Sequence, residues 1–231
     1  RGILRRLGQG RKALRSAVTR HLQTYVDDAV YWYTLEEGND SSLIASQIPG
    51  GLAASVTSNI TFESNPETLP GVGGVAYFNE AQAQLVGKAK KHSASTAWTA
   101  LGFFQVNANP ASEMRLMTVR TTGTSVIWKL NVIAGPTIQV QAVGSSGGAE
   151  TVLSSATTAL LTSEIAYGDY VAYTIYSRQN GANVTWAMNY HKPGSGVFYT
   201  TGEFSFAGSL GKLSEVTVGA RGTHVAAGGM P

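Results

Sequence analysis

The sequence predicts an all-β protein, an antiparallel β-sandwich preceded by a basic N-terminal arm. Two observations carry this prediction. Apolar and polar residues alternate with a period of two over several segments, which is the pattern of strands with one buried face. Turns containing Gly, Asn and Pro separate these segments, and only 13% of the 231 residues are charged, which favours many short strands over long charged helices.

The first 24 residues form the basic arm. They contain seven basic residues and no acidic one, whereas residues 25–231 carry ten basic against fourteen acidic groups. A nucleic-acid-binding domain carries its basic residues on a folded surface. Residues 25–231 lack that pattern, so we predict no nucleic-acid partner for the protein.

Three interpretations of the arm itself are open. It is a tail that binds phosphates without sequence specificity, a solvated tail, or a connector that contacts neighbouring subunits. The apolar residues within GILRRL and ALRSAV favour the connector. Its predicted contact residues are Arg5, Arg6, Arg11, Lys12 and Arg15.

The elements before residue 75 are predicted in order along the chain. Leu14, Val18 and Leu22 recur at helical spacing, which predicts a short amphipathic helix over residues 12–22. After Val26, the aromatic segment AVYWYT predicts a strand that runs into the turn LEEGNDSS. The Pro-, Gly- and Ser-rich residues 45–75 predict a loop with brief strands, near Val56 and at residues 60–62.

Four later segments show the alternation most clearly. The residues predicted to share the buried face of each segment are Trp98, Ala100, Gly102, Phe104 and Val106; Val126, Trp128, Leu130 and Val132; Ile138, Val140 and Ala142; and Val184, Trp186, Met188 and Tyr190. Hairpin turns are predicted at residues 134–136 (AGP) and 179–183 (QNGAN), where Asn-Gly suits a turn that needs positive φ. Strands at this spacing form a sandwich or a barrel.

The segment TSEIAYGDYVAYTIYS precedes the last of these strands. A loop or short helical turn is predicted at residues 162–165. The strand that follows places Val171, Tyr173 and Ile175 towards the core, because these residues alternate with a half-polar set.

The half-polar face of that strand carries the candidate binding residues. Tyr170 and Tyr176 offer flat apolar rings to sugars, and Asn189 and His191 on the next strand are predicted polar neighbours. The alternative interpretation is that the two tyrosines fill space between two sheets.

The chain has few candidates for catalysis or metal binding. It has no Cys, and the four histidines, His21, His92, His191 and His224, lack the spacing of a metal site. Glu36 and Asp40 are a local carboxylate pair, but they lie in a turn and are predicted to be solvated; a calcium loop is the alternative there. We predict no enzyme activity, no metal, no cofactor and, because no stretch approaches ~18 apolar residues, no membrane insertion.

Several motifs together resemble a known family. The segments RGILRRLGQGRKALRS, AVYWYTLEEGNDSSLIASQIPGG and LPGVGG resemble the minor tail proteins of long-tailed phages that infect actinobacteria. The resemblance covers the arm and roughly residues 25–75. Beyond residue 75 it rests on the general pattern of a laminin-G-like, concanavalin A-like jelly roll.

The resemblance implies a division into a connector arm, residues 1–24, and a jelly-roll domain, residues 25–231, cut from a larger protein. It implies a structural component of the phage tail tip, located in the virion and extracellular after release. The implied partners are other phage tail proteins, further copies of the chain in a symmetric tail, and host cell-wall polysaccharide. The alternatives are a glycoside hydrolase of concanavalin-like fold and an isolated lectin-like module.

One departure from the jelly-roll pattern is expected at the end of the sequence. Such folds usually close with one more strand after a Gly-rich turn, and THVAAGGMP supplies no strand beyond Met230. We therefore expect a sheet that a neighbouring chain or further residues must complete.

Overall fold

In a computed structural model of the protein, the described residues are 43–46, 52–56, 60–64, 74–78, 84–88, 96–122, 126–146, 149–221 and 224–227. The basic arm with its predicted helix, the predicted strand after Val26, and the carboxylates Glu36 and Asp40 lie outside these ranges. Within the ranges, all regular secondary structure is β-strand. No helix in this part of the chain has the length and apolarity needed to span a membrane.

The strands, numbered along the chain, form two sheets in which every described pairing is antiparallel. Sheet A has the spatial order β1 (Leu43–Ile44), β2 (Ala54–Val56), β5 (Gln84–Lys88), β15 (Lys212–Arg221), β7 (Met114–Thr122), β8 (Val126–Ile133), β9 (Thr137–Ser146) and β10 (Ala149–Ala159). Sheet B has the order β13 (Tyr199–Thr200), β12 (Asn183–His191), β11 (Tyr170–Asn180), β6 (Ala97–Gln105), β16 (His224–Ala227), β4 (Gly74–Phe78) and β3 (Ile60–Ser64). The short strand β14 (Phe204–Ala207) also pairs with β12. The predicted all-β antiparallel sandwich is confirmed.

The main core lies between the two sheets and is centred on tryptophans. Trp128 of β8 contacts Trp98 of β6 and Trp186 of β12, with ring centroids 5.3 Å and 6.2 Å apart and the ring planes nearly perpendicular. Phe204 and Phe206 of β14 pack against the same rings. Edge-to-face pairs of this kind contribute about 0.5–1.5 kcal/mol each beyond the area they bury, so this cluster ties sheet A to sheet B.

The hairpin turns form at the positions that the sequence predicts. Residues 134–136 connect β8 to β9, and Gly135 has φ +80°. The β11–β12 hairpin closes at the Asn180–Asn183 pair, with Gly181 at φ +60° in the two-residue loop. At residues 162–165 the chain forms a turn rather than a helix, in which the Thr162 hydroxyl accepts hydrogen bonds from the amides of Glu164 and Ile165.

A smaller core joins the early strands to the rest of the sandwich. It contains Ile44, Ala54, Ile60, Phe62 and Ala76, contributed by β1 to β4. The strands β2 and β3 occur where brief strands were predicted in the Pro- and Gly-rich region.

The segment THVAAGGMP contains a strand that the sequence analysis did not predict, and the expectation that further residues or a neighbouring chain complete the sheet stays a prediction. Residues 224–227 form β16, which pairs with β4 through Val225 and Tyr77 and with β6 through Val225 and Gln105. The segment HVAA is too short to show a period of two clearly. Its position in the middle of sheet B therefore follows from tertiary pairing that the sequence pattern does not reveal.

Gly102 leaves room for a buried ring, and this predicts the effect of a substitution. A Cβ atom at Gly102 of β6 would lie 3.0 Å from the hydroxyl oxygen and 3.2 Å from two ring carbons of Tyr173, the residue opposite it on β11. We expect Gly102→Ala to lower the free energy of unfolding by about 1–3 kcal/mol, as overpacking does in other cores. Urea denaturation of both proteins measures this difference in the free energy of unfolding.

The control for Gly102→Ala is Thr99→Ala, an exposed position on the same strand, which is expected to change stability by less than about 0.5 kcal/mol. Equal stability of wild type and Gly102→Ala would contradict the tight fit of the Tyr173 ring.

Candidate functional site

The half-polar side of β11 and its neighbours forms the candidate site. As predicted, Val171 and Ile175 are buried in the core and Tyr173 packs against it, so the alternate residues of β11 point away from sheet A. Strand pairing arranges these outward residues in three rows across β6, β11 and β12. The rows are Phe103, Ala172 and His191; Leu101, Thr174 and Asn189; and Thr99, Tyr176 and Ala187. We call the surface of these nine residues the outer face of sheet B.

The outer face of sheet B has a floor of small side chains in its first two rows. Ala172 and Thr174 lie in the central strand, while larger side chains lie on each side: Phe103 and Leu101 on β6, and His191 on β12. Adjacent strands are ~4.8 Å apart, so the two walls stand roughly 10 Å apart. This arrangement makes a shallow trough that runs along β11.

Exposed apolar groups form the walls of the trough. Leu101 is 61% exposed and Phe198, in the connection from β12 to β13, is 69% exposed. The Phe198 ring lies against the His191 ring, with centroids 4.5 Å apart. Large apolar side chains clustered at the surface mark interaction sites more often than isolated ones do.

The connection that carries Phe198 is held in place at its start. The Lys192 ammonium lies 2.9 Å from the Asp169 carboxylate, and the Ser195 amide donates to the Lys192 carbonyl. Asp169 Oδ2 also accepts a hydrogen bond from the Ala166 amide. Burial opposes ionisation of Asp169, but the Ala166 amide and the Lys192 ammonium outweigh it and lower the pKa of this carboxyl.

A charged group lies beside the third row. Glu203 Oε1 accepts hydrogen bonds from the Tyr176 hydroxyl at 3.3 Å and from Arg178 Nη2 at 3.1 Å. Burial and the neighbouring Glu203 charge raise the pKa of Tyr176, so its hydroxyl stays a hydrogen-bond donor. Among the described residues, no group donates to Glu203 Oε2, which leaves this oxygen available to a ligand hydroxyl.

The structure brings together three of the four residues predicted to bind sugar. Tyr176, Asn189 and His191 share the outer face of sheet B. The fourth residue, Tyr170, lies on the same side of β11, opposite Gln105, and 7% of its surface is exposed. Its ring therefore has little area to offer a ligand. The binding role of all four residues stays a prediction.

Other residues of the site were missed by the sequence analysis. Leu101 and Phe103 are apolar residues on the polar side of TAWTALGFFQV, and that break in alternation was the available signal. Phe198 and Glu203 lie in connections, where no periodicity points to them. The arm residues Arg5, Arg6, Arg11, Lys12 and Arg15 lie outside the described residues, so their subunit contacts also stay a prediction.

Within the described ranges, no group of three or more His, Asp or Glu side chains could hold a metal ion. Several carboxylates there form ion pairs with basic side chains instead. The pairs are Glu113–Arg115, Glu150–Lys129, Asp169–Lys192, Glu203–Arg178 and Glu215–Arg120.

No protein-family model and no curated protein matches the sequence. Among solved structures, a mutant of HCR/D is similar with a TM-score of 0.53 and 9% identity, covering 88% of this chain and 47% of that chain. The enzymatically active domain of tailspike protein 2 from bacteriophage CBA120 has a TM-score of 0.44 and 14% identity, covering 75% of this chain and 26% of that chain. Peanut lectin with a bound nine-residue peptide has a TM-score of 0.40 and 11% identity; the match covers 73% of this chain and 88% of that chain.

These likenesses concern the fold alone. The HCR/D match shows a shared sandwich architecture, and at 9% identity it says nothing about activity. The other two TM-scores lie below 0.5 and carry no inference. The chain spans about half the length of HCR/D and about a quarter of the length of the tailspike domain.

The Asp169–Lys192 pair predicts a dependence of stability on pH. Because the pKa of folded Asp169 is below the ordinary value of 3.8, its contribution is present above that pH and is lost as pH falls through the folded pKa. We expect Asp169→Asn to lower the free energy of unfolding at pH 7 by about 0.5–1 kcal/mol. Urea unfolding of both proteins between pH 2 and pH 7 should show the difference shrinking below pH 3.8.

The matched control is Glu164→Gln, which removes one exposed negative charge from the same loop without breaking a described ion pair. A difference between wild type and Asp169→Asn that is constant over the whole pH range would contradict the assignment to the ionised carboxylate.

Proposed function

We propose that the protein is a glycan-binding structural component of a phage tail, without catalytic activity, and that the outer face of sheet B contacts the glycan. The observation that carries the proposal is the trough between Leu101 and Phe103 on one side and His191 and Phe198 on the other. Its exposed apolar walls and its hydrogen-bonding groups are both needed to hold a sugar.

The chemistry of a pyranose ring suits this trough. The C–H groups on one side of the ring pack on an apolar or aromatic surface such as Phe198, while the hydroxyls at its edge need hydrogen-bond partners. Asn189 is exposed on the second row. The Glu203 carboxylate lies beside the third row, where it is held by Tyr176 and Arg178 and offers its Oε2 atom. A few polar groups around an apolar surface fix the orientation of a ligand.

The phage-tail part of the proposal rests on the resemblance of the arm and of residues 25–75 to minor tail proteins. In a tail, identical copies are presented together, so weak contacts at single sites add up to firm adhesion. The proposed location is the virion tail tip, with the protein outside the cell after phage release. The proposed partners are other tail proteins, further copies of the chain and a host cell-wall polysaccharide.

Support for binding rather than cleavage comes from the carboxylates near the trough. A glycoside hydrolase needs two of them, one on each side of the scissile bond, about 5–9.5 Å apart. Of the described carboxylates near the trough, Glu203 is held by Tyr176 and Arg178, and Asp169 is held by Lys192 and the Ala166 amide. Neither is poised as a free acid or nucleophile.

The test is a binding screen of the full chain against purified cell-wall polysaccharides and a glycan array, with analysis of the saccharides recovered. Phe198→Ala removes the most exposed aromatic ring of the site, and we expect it to weaken binding of the best ligand about tenfold, given ~1.5 kcal/mol for a ring contact. Leu43→Ala, which removes an apolar side chain that is 58% exposed on β1 of sheet A, is expected to leave binding unchanged.

Each result of the screen has a clear meaning. Saturable binding that Phe198→Ala weakens, with intact saccharide recovered, supports the proposal. Binding that Phe198→Ala leaves intact places the glycan elsewhere, and shortened saccharide contradicts the absence of catalysis. Failure of every glycan to bind overturns the glycan-binding role.

A further inference from the structure

Sheet A ends in a long strand, one edge of which pairs with no other strand that the structure describes. Strand β10 lies at the end of the strand order and pairs with β9 from Ala149 to Ala159, except at Leu153. On its opposite edge, no described residue forms a backbone hydrogen bond with residues 151–158. Most residues of the strand are exposed. At its end, sheet B contacts the strand: the Tyr190 hydroxyl donates to the Ala159 carbonyl and lies 3.1 Å from the Thr158 hydroxyl.

The composition of β10 leaves this edge open to another strand. Residues 151–159 (TVLSSATTA) contain no charged residue and no Pro, whereas exposed edges are commonly protected by Lys, Pro or short length. Two large apolar side chains on it, Val152 and Leu153, are 54% and 40% exposed. A register shift between Val152 and Ser154 interrupts the pairing with β9, and the stretch after it, residues 154–158, is regular.

We propose that a second copy of the protein pairs with β10, antiparallel across a two-fold axis near Ala156, so that two copies of sheet A form one continuous sheet. The proposal does not depend on glycan binding. An antiparallel two-fold pairing uses the same edge on both copies, which makes the hydrogen-bonding groups complementary.

The charges on the strand agree with this pairing and its direction. The one charged residue of β10, Glu150, forms an ion pair with Lys129 within its own sheet. With the axis near Ala156, the two Glu150 residues lie twelve positions apart, roughly 40 Å along the strands at 3.4 Å per residue. No like charges meet, and Val152 and Leu153 add apolar contact at each end of the interface.

The test uses two exposed positions that face each other in this register. Ser155 of one copy lies opposite Thr157 of the other, and both side chains are on the solvent side of β10. The double variant Ser155→Lys/Thr157→Lys therefore places two pairs of lysines directly opposite each other, which disfavours pairing. The control, Ser112→Lys/Ser163→Lys, adds the same charge at two exposed loop positions.

Size-exclusion chromatography with light scattering gives the mass of each protein. We expect wild type and control at tens of micromolar to have twice the chain mass of 24.3 kDa, and the β10 variant to have the single-chain mass with an unchanged circular dichroism spectrum. A monomeric wild type overturns the proposal; any partner of the β10 edge would then be a different protein. A dimer that survives in the β10 variant overturns it as well, because the interface then lies elsewhere.

The absence of Cys in the chain allows a second check on the register. Ser155→Cys and Thr157→Cys proteins, mixed and mildly oxidised, are expected to form a disulfide-linked heterodimer faster than either protein forms a homodimer. Equal rates in the mixture and in the separate samples would contradict the antiparallel register about Ala156.

Discussion

The sandwich depends on the contact of Trp128 with the two tryptophans of the opposite sheet. Trp128 comes from β8 of sheet A, and Trp98 and Trp186 come from β6 and β12 of sheet B. The indole N–H groups of all three are buried without a hydrogen-bond partner in the described structure, which costs free energy. The burial and edge-to-face contacts of the three rings must offset that cost, so ring packing holds the centre of the sandwich, while the Tyr190 hydroxyl joins the sheets at the end of β10 through Thr158 and the Ala159 carbonyl.

The same contact determines what the outside of sheet B can present. Side chains of a strand alternate between its two faces, so fixing Trp98 and Trp186 inward also fixes Leu101, Phe103, Asn189 and His191 outward. A slip of one residue in β6 or β12 would bury the polar residues and expose the tryptophans. The core and the candidate site are therefore two consequences of one strand register.

Much of the fold follows from local patterns in the sequence. The period of two in β6, β8, β9 and β12 identifies their buried faces, and the turns at Gly135 and Gly181 follow from turn chemistry. The position of β16 does not follow, because four residues are too few to show a period and its partners β4 and β6 are distant in the sequence.

The candidate site was predictable only in part. Tyr176, Asn189 and His191 could be placed on one face from alternation, since β11 and β12 are joined by a recognisable hairpin. The burial of Tyr170 depends on what packs around the start of β11, which local sequence does not report. Phe198 and Glu203 reach the site through the connections on either side of β13, where the path of the chain is decided by contacts such as Lys192–Asp169.

The central position of β16 constrains how the protein is made. During synthesis, β11 can pair with β6 and β3 with β4, but β6 and β4 have no described strand between them until residues 224–227 have left the ribosome. The inner edges of β4 and β6 are thus open from the synthesis of these strands until residues 224–227 have emerged, and open edges are prone to wrong pairing. Closure of sheet B therefore waits for pairings between strands that are distant in sequence, and such pairings form more slowly than local hairpins.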